Sequence, residues 1–218
     1  MSCGDGTRYR ATLLERRRLS EKVFELRLDR PAGFLFSAGQ GICLGEGSGE
    51  REYSLASGPR EPALALCIRR VDQGRLSTWL AGVPPGQELA FSGPHGLFTW
   101  QESPRPAVFV ATGTGIAPFV SMTRDGRAPL VILHGVRAPQ ELSYREWFTA
   151  GAFHYVPCVS AAPATGAFHG RVTEWIRGHL APGGYDFYLC GRREMIRDVT
   201  ALVDDNFPGS RVFAEIFH

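Results

Sequence analysis

Apolar residues follow two different rhythms along this chain. Over the first hundred residues they come in short β-like bursts. Residues 8–14 and 22–28 alternate or run apolar, Ile42-Cys43-Leu44 follows Gly39-Gln40-Gly41, and Leu64-Ala65-Leu66-Cys67-Ile68-Arg69-Arg70-Val71 forms another burst. Turn formers punctuate them at Pro31-Ala32-Gly33, in the Gly-rich stretch from Gly45 to Gly49 and at Pro84-Pro85-Gly86; Gly93-Pro94-His95-Gly96 is expected to be a tight loop closing the structure. Repeated short strands between such signals predict a small antiparallel β-barrel. After residue 105 the rhythm changes. Pro106-Ala107-Val108-Phe109-Val110-Ala111 is a continuous apolar run, the pattern of a strand buried on both faces. Further strands are expected at 130–133, 154–159 and 187–190, with helices at 141–149, at 172–179 and from about 193. Strands alternating with helices predict a parallel α/β sheet. The polar, Pro-containing stretch 102–105 marks the change, so the chain is read as two domains, residues 1–102 and 103–218.

Composition narrows the function classes. A net charge of +2 on 218 residues is too small for a dedicated nucleic-acid binder. Lys22 is the sole Lys among 24 basic residues, and Arg favours bidentate phosphate contacts. There is no apolar run of membrane-spanning length and no signal-peptide pattern, so a cytoplasmic protein without membrane insertion is expected. Cys3, Cys43, Cys67, Cys158 and Cys190 are scattered without CxxC spacing, so neither a metal site nor an iron–sulfur cluster nor a disulfide framework is expected.

Three stretches carry candidate chemistry. Arg51-Glu52-Tyr53-Ser54, read as a strand, puts Arg51 and Tyr53 on one face and Ser54 on the other. A planar ring with a phosphate tail suits this set: Tyr53 to stack, Ser54 to hydrogen-bond, Arg51 to neutralise charge. An ordinary strand with a surface Arg and a half-buried Tyr would look the same. Gly74-Arg75-Leu76-Ser77-Thr78-Trp79-Leu80 reads as a tight turn into a short helix, with Trp79 and Leu80 packing inward. Its amides and the Ser77 hydroxyl suit a phosphate, and equally a capped helix with no ligand. Thr112-Gly113-Thr114-Gly115-Ile116-Ala117-Pro118 lies between a buried strand and a helix, the setting a dinucleotide pyrophosphate needs. Pro118 replaces the third glycine of the usual pattern and is tolerated in a first helical turn.

In this order, Arg51-x-Tyr53-Ser54, Gly113-Thr114-Gly115-Ile116-Ala117-Pro118, and Cys190-Gly191 with Met195 resemble the ferredoxin–NADP(+) reductase superfamily, and the resemblance covers nearly the whole chain. Gly74-x-x-Ser77, Gly93-Pro94-x-Gly96 and Gly135-Val136-Arg137 support it. The tail Ala214-Glu215-Ile216-Phe217-His218 is similar to that of bacterial ferredoxin/flavodoxin reductases. The resemblance implies a flavin held by the first domain and a nicotinamide nucleotide held by the second, with hydride transfer at flavin N5. It places Arg51, Tyr53, Ser54, Leu55, Ser57, Ile68, Gly74, Leu76 and Ser77 at the flavin, and the Ala56-Ser57 continuation favours FAD over FMN. It places Thr112, Gly113, Thr114, Gly115, Cys190 and Gly191 at the nucleotide, Phe217 over a flavin face, and catalytic roles on Ser54, Cys190 and Glu215. Without the resemblance, Cys190 would be a buried strand residue and Glu215 a surface charge.

The resemblance also implies that Arg137, Ser160 and Arg171 read an adenosine 2′-phosphate, which favours NADPH over NADH. Ala161 stands where many NADP-dependent members carry Arg, and His218 departs from their aromatic terminus. With no cluster ligands in the chain, the expected partner is a separate ferredoxin or flavodoxin, met by a monomer. The rival readings are an electron-transfer subunit of a larger complex, a reductase of small acceptors and a non-catalytic flavin-binding module.

Overall fold

The computed structural model describes residues 7–45 and 49–217. Cys3, His218 and positions 46–48 of the Gly-rich turn lie outside the described residues. By packing, the chain forms two compact units: Met1–Trp100 with Ala117–Arg127, and Gln101–Ile116 with Ala128–His218.

In the first unit, β1 (Arg8–Arg18), β2 (Val23–Asp29), β3 (Gly41–Leu44), β4 (Arg51–Ser54), β5 (Ala63–Arg69), helix α1 (Arg75–Leu80) and β6 (Glu88–His95) succeed one another. The strands make one antiparallel sheet in the order β4-β3-β6-β1-β2-β5. Its two edges meet just past β4, where Leu55 bridges Leu66 and the Ala56 N–H donates to the Ala65 carbonyl at 2.7 Å. The sheet therefore curls toward closure at this point, as the short-strand pattern predicts. Alternate residues point inward: Leu13, Leu26, Leu28, Ile42, Leu44, Leu64, Leu66, Ile68 and Phe91 form one buried core. Burying each such side chain contributes roughly 1.5–3 kcal/mol.

Three expectations need correction here. Trp79 is 51% exposed: so short a helix buries one stripe, Ser77 and Leu80, and leaves Trp79 on its outer side. Gly93-Pro94-His95 is the end of β6 and no loop, because Gly41 of β3 pairs with His95. Cys43 is in disulfide linkage, against the expectation from spacing.

Helix α2 (Ala117–Arg124), which follows the glycine-rich turn, groups with this first unit. Ser121 Oγ donates to the Ser57 carbonyl at 2.7 Å, Arg124 reaches the Ala56 carbonyl at 3.3 Å, and Phe119 packs on Phe98 with ring centroids 5.8 Å apart.

The second unit contains β7 (Ala107–Thr112), β8 (Val131–Val136), helix α3 (Arg145–Ala150), β9 (Tyr155–Val159), β10 (Phe168–His169), α4 (Val172–His179), β11 (Asp186–Gly191), α5 (Arg193–Asn206) and β12 (Arg211–Ile216). All neighbouring strands are parallel, in the order β10-β9-β8-β7-β11-β12. β7 and β11 are buried almost throughout, as their unbroken apolar runs require. Helix α3 is shorter than the pattern 141–149 suggests, because Tyr144 ahead of it takes a left-handed backbone (φ 59°). The short strand β10 and the terminal β12 were not expected.

β12 is tied to β11 by a buried ion pair. Asp186, 2% exposed, accepts two bonds from Arg211, at 2.8 Å and 2.6 Å. The guanidinium holds the Asp186 carboxyl below its usual range. Removing the cation leaves the buried Asp186 carboxylate without its partner. Arg211→Ala is therefore expected to lower stability, read as a lower urea midpoint at constant m-value.

Candidate functional site

The strand order of the second unit locates a site before any residue is considered. From β7 the chain runs outward through β8, β9 and β10, then returns to the other side of β7 as β11 and β12. The direction of winding reverses between β7 and β11, and ligands of open parallel sheets bind beyond the carboxyl ends of the strands at such a point. The residues standing there are Thr112, Gly113, Thr114 and Gly115 after β7, and Cys190-Gly191 ending β11.

These two segments are in close backbone contact. A Cβ at Gly115 would collide with the Cys190 carbonyl oxygen, and one at Gly191 (φ +132°) with Thr112 Oγ1 and its carbonyl. Thr112 Oγ1 accepts the Arg192 N–H at 2.9 Å, closing the seam. Gly113 differs: its φ is +55°, and a Cβ there would have nothing within 4 Å. Its glycine is set by the left-handed backbone, and the space beside it is open to a ligand. An open glycine turn beyond a parallel strand fits a pyrophosphate.

Cys190 is fully buried, and its Sγ lies 3.9 Å from Glu215 Oε2 on the adjacent strand. Burial, then the Glu215 charge, pushes the thiol well above its ordinary range, so it stays protonated. Phe217 follows β12 and is held by its N–H on the Gly191 carbonyl at 2.9 Å. The structure thus gathers Cys190, Gly191, Glu215 and Phe217 beside the glycine turn.

Arg137, Ser160 and Arg171 stand just past the carboxyl ends of the adjacent strands β8, β9 and β10, and all three are exposed. Backbone bonds stitch these ends: Ser160 N–H to the Val136 carbonyl at 3.1 Å, Ala161 N–H to the Arg137 carbonyl at 3.0 Å, and Gly170 N–H to the Val159 carbonyl at 3.0 Å. The Glu174 carboxylate accepts the Arg171 N–H at 2.6 Å, fixing the start of α4.

In the first unit, Arg51, Tyr53 and Ser54 lie on β4, exposed, half-buried and buried in turn. Among the described residues no carboxylate pairs with Arg51, which bonds the Glu50 carbonyl at 2.7 Å. Burial pushes the Tyr53 phenol up to about 12, partly offset by Arg51, so the ring is neutral. An unpaired cation beside a neutral, half-buried ring fits a planar group bearing phosphates. The other predicted residues are more structural. Leu55 and Ile68 are fully buried in the barrel core, Leu76 packs partly against it, and Ser57 Oγ accepts the Ala65 N–H at 3.1 Å. Ser77 Oγ accepts the Val71 N–H at 3.1 Å, tightening the turn around Gly74.

Family models match both units. The oxidoreductase FAD-binding domain matches residues 10–100, and the oxidoreductase NAD-binding domain matches residues 109–201. The chain belongs to the ferredoxin–NADP(+) reductase superfamily. Its cofactors are accordingly FAD and a nicotinamide dinucleotide. Ferredoxin–NADP reductase B of Sorangium cellulosum is 42% identical over 151 residues, which is 63% of this chain and 62% of that protein. The toluate 1,2-dioxygenase electron transfer component of Pseudomonas putida is 30% identical over 211 residues, 89% of this chain and 63% of that protein. The chain thus spans less than two thirds of the length of these curated relatives. Among solved structures, the Amycolatopsis cytochrome P450 reductase GcoB superposes with TM-score 0.85 at 27% identity, covering 97% of this chain and 71% of that one. A ferredoxin NADP+ reductase from Neisseria gonorrhoeae with bound FAD and NADP superposes with TM-score 0.82 at 22% identity, covering 97% and 99%, and shows the same two-part fold.

One residue beside the glycine turn escapes the sequence reading. His134, fully buried in β8, places Nε2 2.9 Å from the Gly113 carbonyl oxygen and Nδ1 3.0 Å from the Tyr155 hydroxyl. A polar residue inside an apolar strand is the signal that was available, since such a group needs partners. Burial lowers the imidazole from 6.5 to about 4, so it is neutral at neutral pH. As pH falls from 6.5 toward 4 the unfolded chain takes up a proton that folded His134 refuses, and stability is lost. The loss from this group is on the order of 3 kcal/mol across that window. His134→Gln is expected to flatten the stability–pH profile there, measured by denaturant titration at a series of pH values.

Proposed function

We propose that this chain is a flavin-dependent reductase that passes electrons from NADPH to a one-electron carrier such as ferredoxin or flavodoxin. The observation that carries the reading is the seam of Thr112–Gly115 against Cys190–Gly191 at the reversal point of the parallel sheet. A non-catalytic flavin module would have no need of such a turn. The functional division is read at residues 102 and 103, where the composition changes.

When bound, FAD accepts a hydride from the nicotinamide and releases electrons singly. The chain's own residues hold, orient and shield the reactants. Arg51 neutralises the flavin's phosphates, Tyr53 supplies an uncharged ring to lie on the flavin, and Ser54 a hydroxyl for its polar edge. The glycine turn holds the nicotinamide nucleotide's pyrophosphate. Cys190, kept as a neutral thiol, presents a compact, weakly polar wall and not a nucleophile. Glu215, beside Cys190 Sγ, is placed to accept and return a proton at its carboxylate. Arg137, Ser160 and Arg171, on successive strand ends, form the polar set for a 2′-phosphate.

A second reading has direct support. Relatives include the toluate 1,2-dioxygenase electron transfer component of Pseudomonas putida and the propane 2-monooxygenase reductase component of Rhodococcus jostii. On this reading the acceptor is an oxygenase component, and the protein turns over poorly with free ferredoxin.

The deciding experiment is an anaerobic titration of the purified protein with NADPH and NADH in parallel, following the visible flavin band. Bleaching is expected at much lower NADPH than NADH concentration. A yellow protein bleached by neither nucleotide would overturn the reading. A charge-assisted phosphate contact contributes about 1.5–3 kcal/mol, or roughly ten- to a hundredfold in affinity. Arg171→Ala should therefore raise KM for NADPH about tenfold and leave KM for NADH unchanged; equal shifts would remove Arg171 from the 2′-phosphate site.

A further inference from the structure

The glycine turn is held from inside the sheet as well as along its seam. His134 Nε2 faces a carbonyl oxygen, which only accepts, so Nε2 carries the proton and donates to Gly113. Nδ1 is then the bare acceptor, and the Tyr155 hydroxyl at 3.0 Å donates to it. Tyr155 is itself fixed, stacked on Phe148 of α3 with centroids 5.1 Å apart and planes 17° from parallel. Phe148 is fully buried. Four groups on four elements therefore form one chain ending at Gly113: Phe148 on α3, Tyr155 on β9, His134 on β8 and the turn itself.

The consequence follows from peptide geometry. In a planar trans peptide the C=O of one residue and the N–H of the next point in opposite directions. With the Gly113 oxygen turned inward onto His134, the Thr114 N–H is turned the other way, away from the imidazole. Gly113 opens the 3-10 turn Gly113–Ile116, and the space where its side chain would stand has no heavy atom within 4 Å. The remaining residues Val131, Ile132, Leu133 and Val136 of β8 are apolar, and an apolar residue at 134 would suit the strand without serving the turn.

We propose that His134, held in its Nε2–H tautomer by the Gly113 carbonyl and oriented by Tyr155, is a positioning residue for the nicotinamide dinucleotide: it pins the Gly113 carbonyl and so presents the Thr114 amide to the pyrophosphate. This rests on the nucleotide-binding reading given above. His134 touches neither nucleotide nor flavin and acts through the turn. Tyr155 donates to Nδ1 and so fixes the ring orientation that aims Nε2–H at the Gly113 oxygen. If Nδ1 took the proton, Nε2 would face the Gly113 oxygen with a lone pair and the pin would be lost.

The test is calorimetric titration of FAD-loaded protein with NADP+, in the wild type and in the His134→Leu, His134→Gln and Tyr155→Phe variants, with flavin content measured on each. Gln carries a donor close to the place of Nε2, and Leu carries none. His134→Leu is expected to weaken NADP+ binding about tenfold at unchanged flavin content, the size of one well-made hydrogen bond, and His134→Gln to recover to within about threefold of wild type. Wild-type affinity in His134→Leu, or equal weakness in the Leu and Gln variants, would overturn the proposal alone. Should His134→Leu fail to fold, Tyr155→Phe decides: nitrogen NMR is expected to show the Nε2–H tautomer in the wild type and the variant alike, with NADP+ binding weakened about threefold because the ring loses its second anchor. An Nδ1–H tautomer in the wild type, or wild-type affinity in Tyr155→Phe, would overturn it. A wild-type protein that binds neither NADP+ nor NAD+ would overturn the nucleotide reading and the proposal together.

Discussion

Backbone crowding where β7 and β11 end side by side is the constraint on which the second unit's site depends. Two main-chain segments run so close that Gly115 and Gly191 cannot carry side chains without striking Cys190 or Thr112. This closeness follows from parallel pairing: Cys190 sits opposite Ala111 on one side and Glu215 on the other. The same register brings a buried thiol to a carboxylate. One geometric fact therefore sets the glycine positions, the state of the Cys190 proton and the place of Glu215.

Both units bury polar side chains and give them partners. In the barrel, Ser57 accepts the Ala65 N–H and Glu25, 3% exposed, pairs with Arg17 at 3.5 Å. The parallel sheet carries polar side chains within its buried layers, and each described one has a defined partner: Asp186 its arginine, His134 a carbonyl and a phenol. Buried polar groups with matched partners specify a conformation more sharply than apolar ones do, because any shift leaves one of them unsatisfied.

Much of this was legible in the sequence. The change from short bursts to long apolar runs separated a barrel from a parallel sheet. Arg51-x-Tyr53-Ser54 and Gly113-x-Gly115 stood out because they combine residue types that strands and turns do not ordinarily need together. What escaped was non-local. His134 and Tyr155 are 21 positions apart, and Asp186 and Arg211 are 25 apart; nothing in a window of sequence joins them. Trp79, expected to pack inward with Leu80, stands outside because α1 is too short to bury more than one stripe. The length of α3 was overestimated because the left-handed turn at Tyr144 leaves no composition signal.

The allegiance of helix α2 has a bearing on how such a chain can be divided. By sequence it follows the nucleotide turn; by packing it is part of the barrel, covering Phe98 with Phe119 and capping the Ser57 carbonyl through Ser121. A fragment ending near residue 102 would lose that cover and leave a buried aromatic and a carbonyl facing water. The packed unit is thus discontinuous along the chain. Recombination at the apparent junction would exchange more than a nucleotide domain, because the incoming segment must also supply a piece of its host's core.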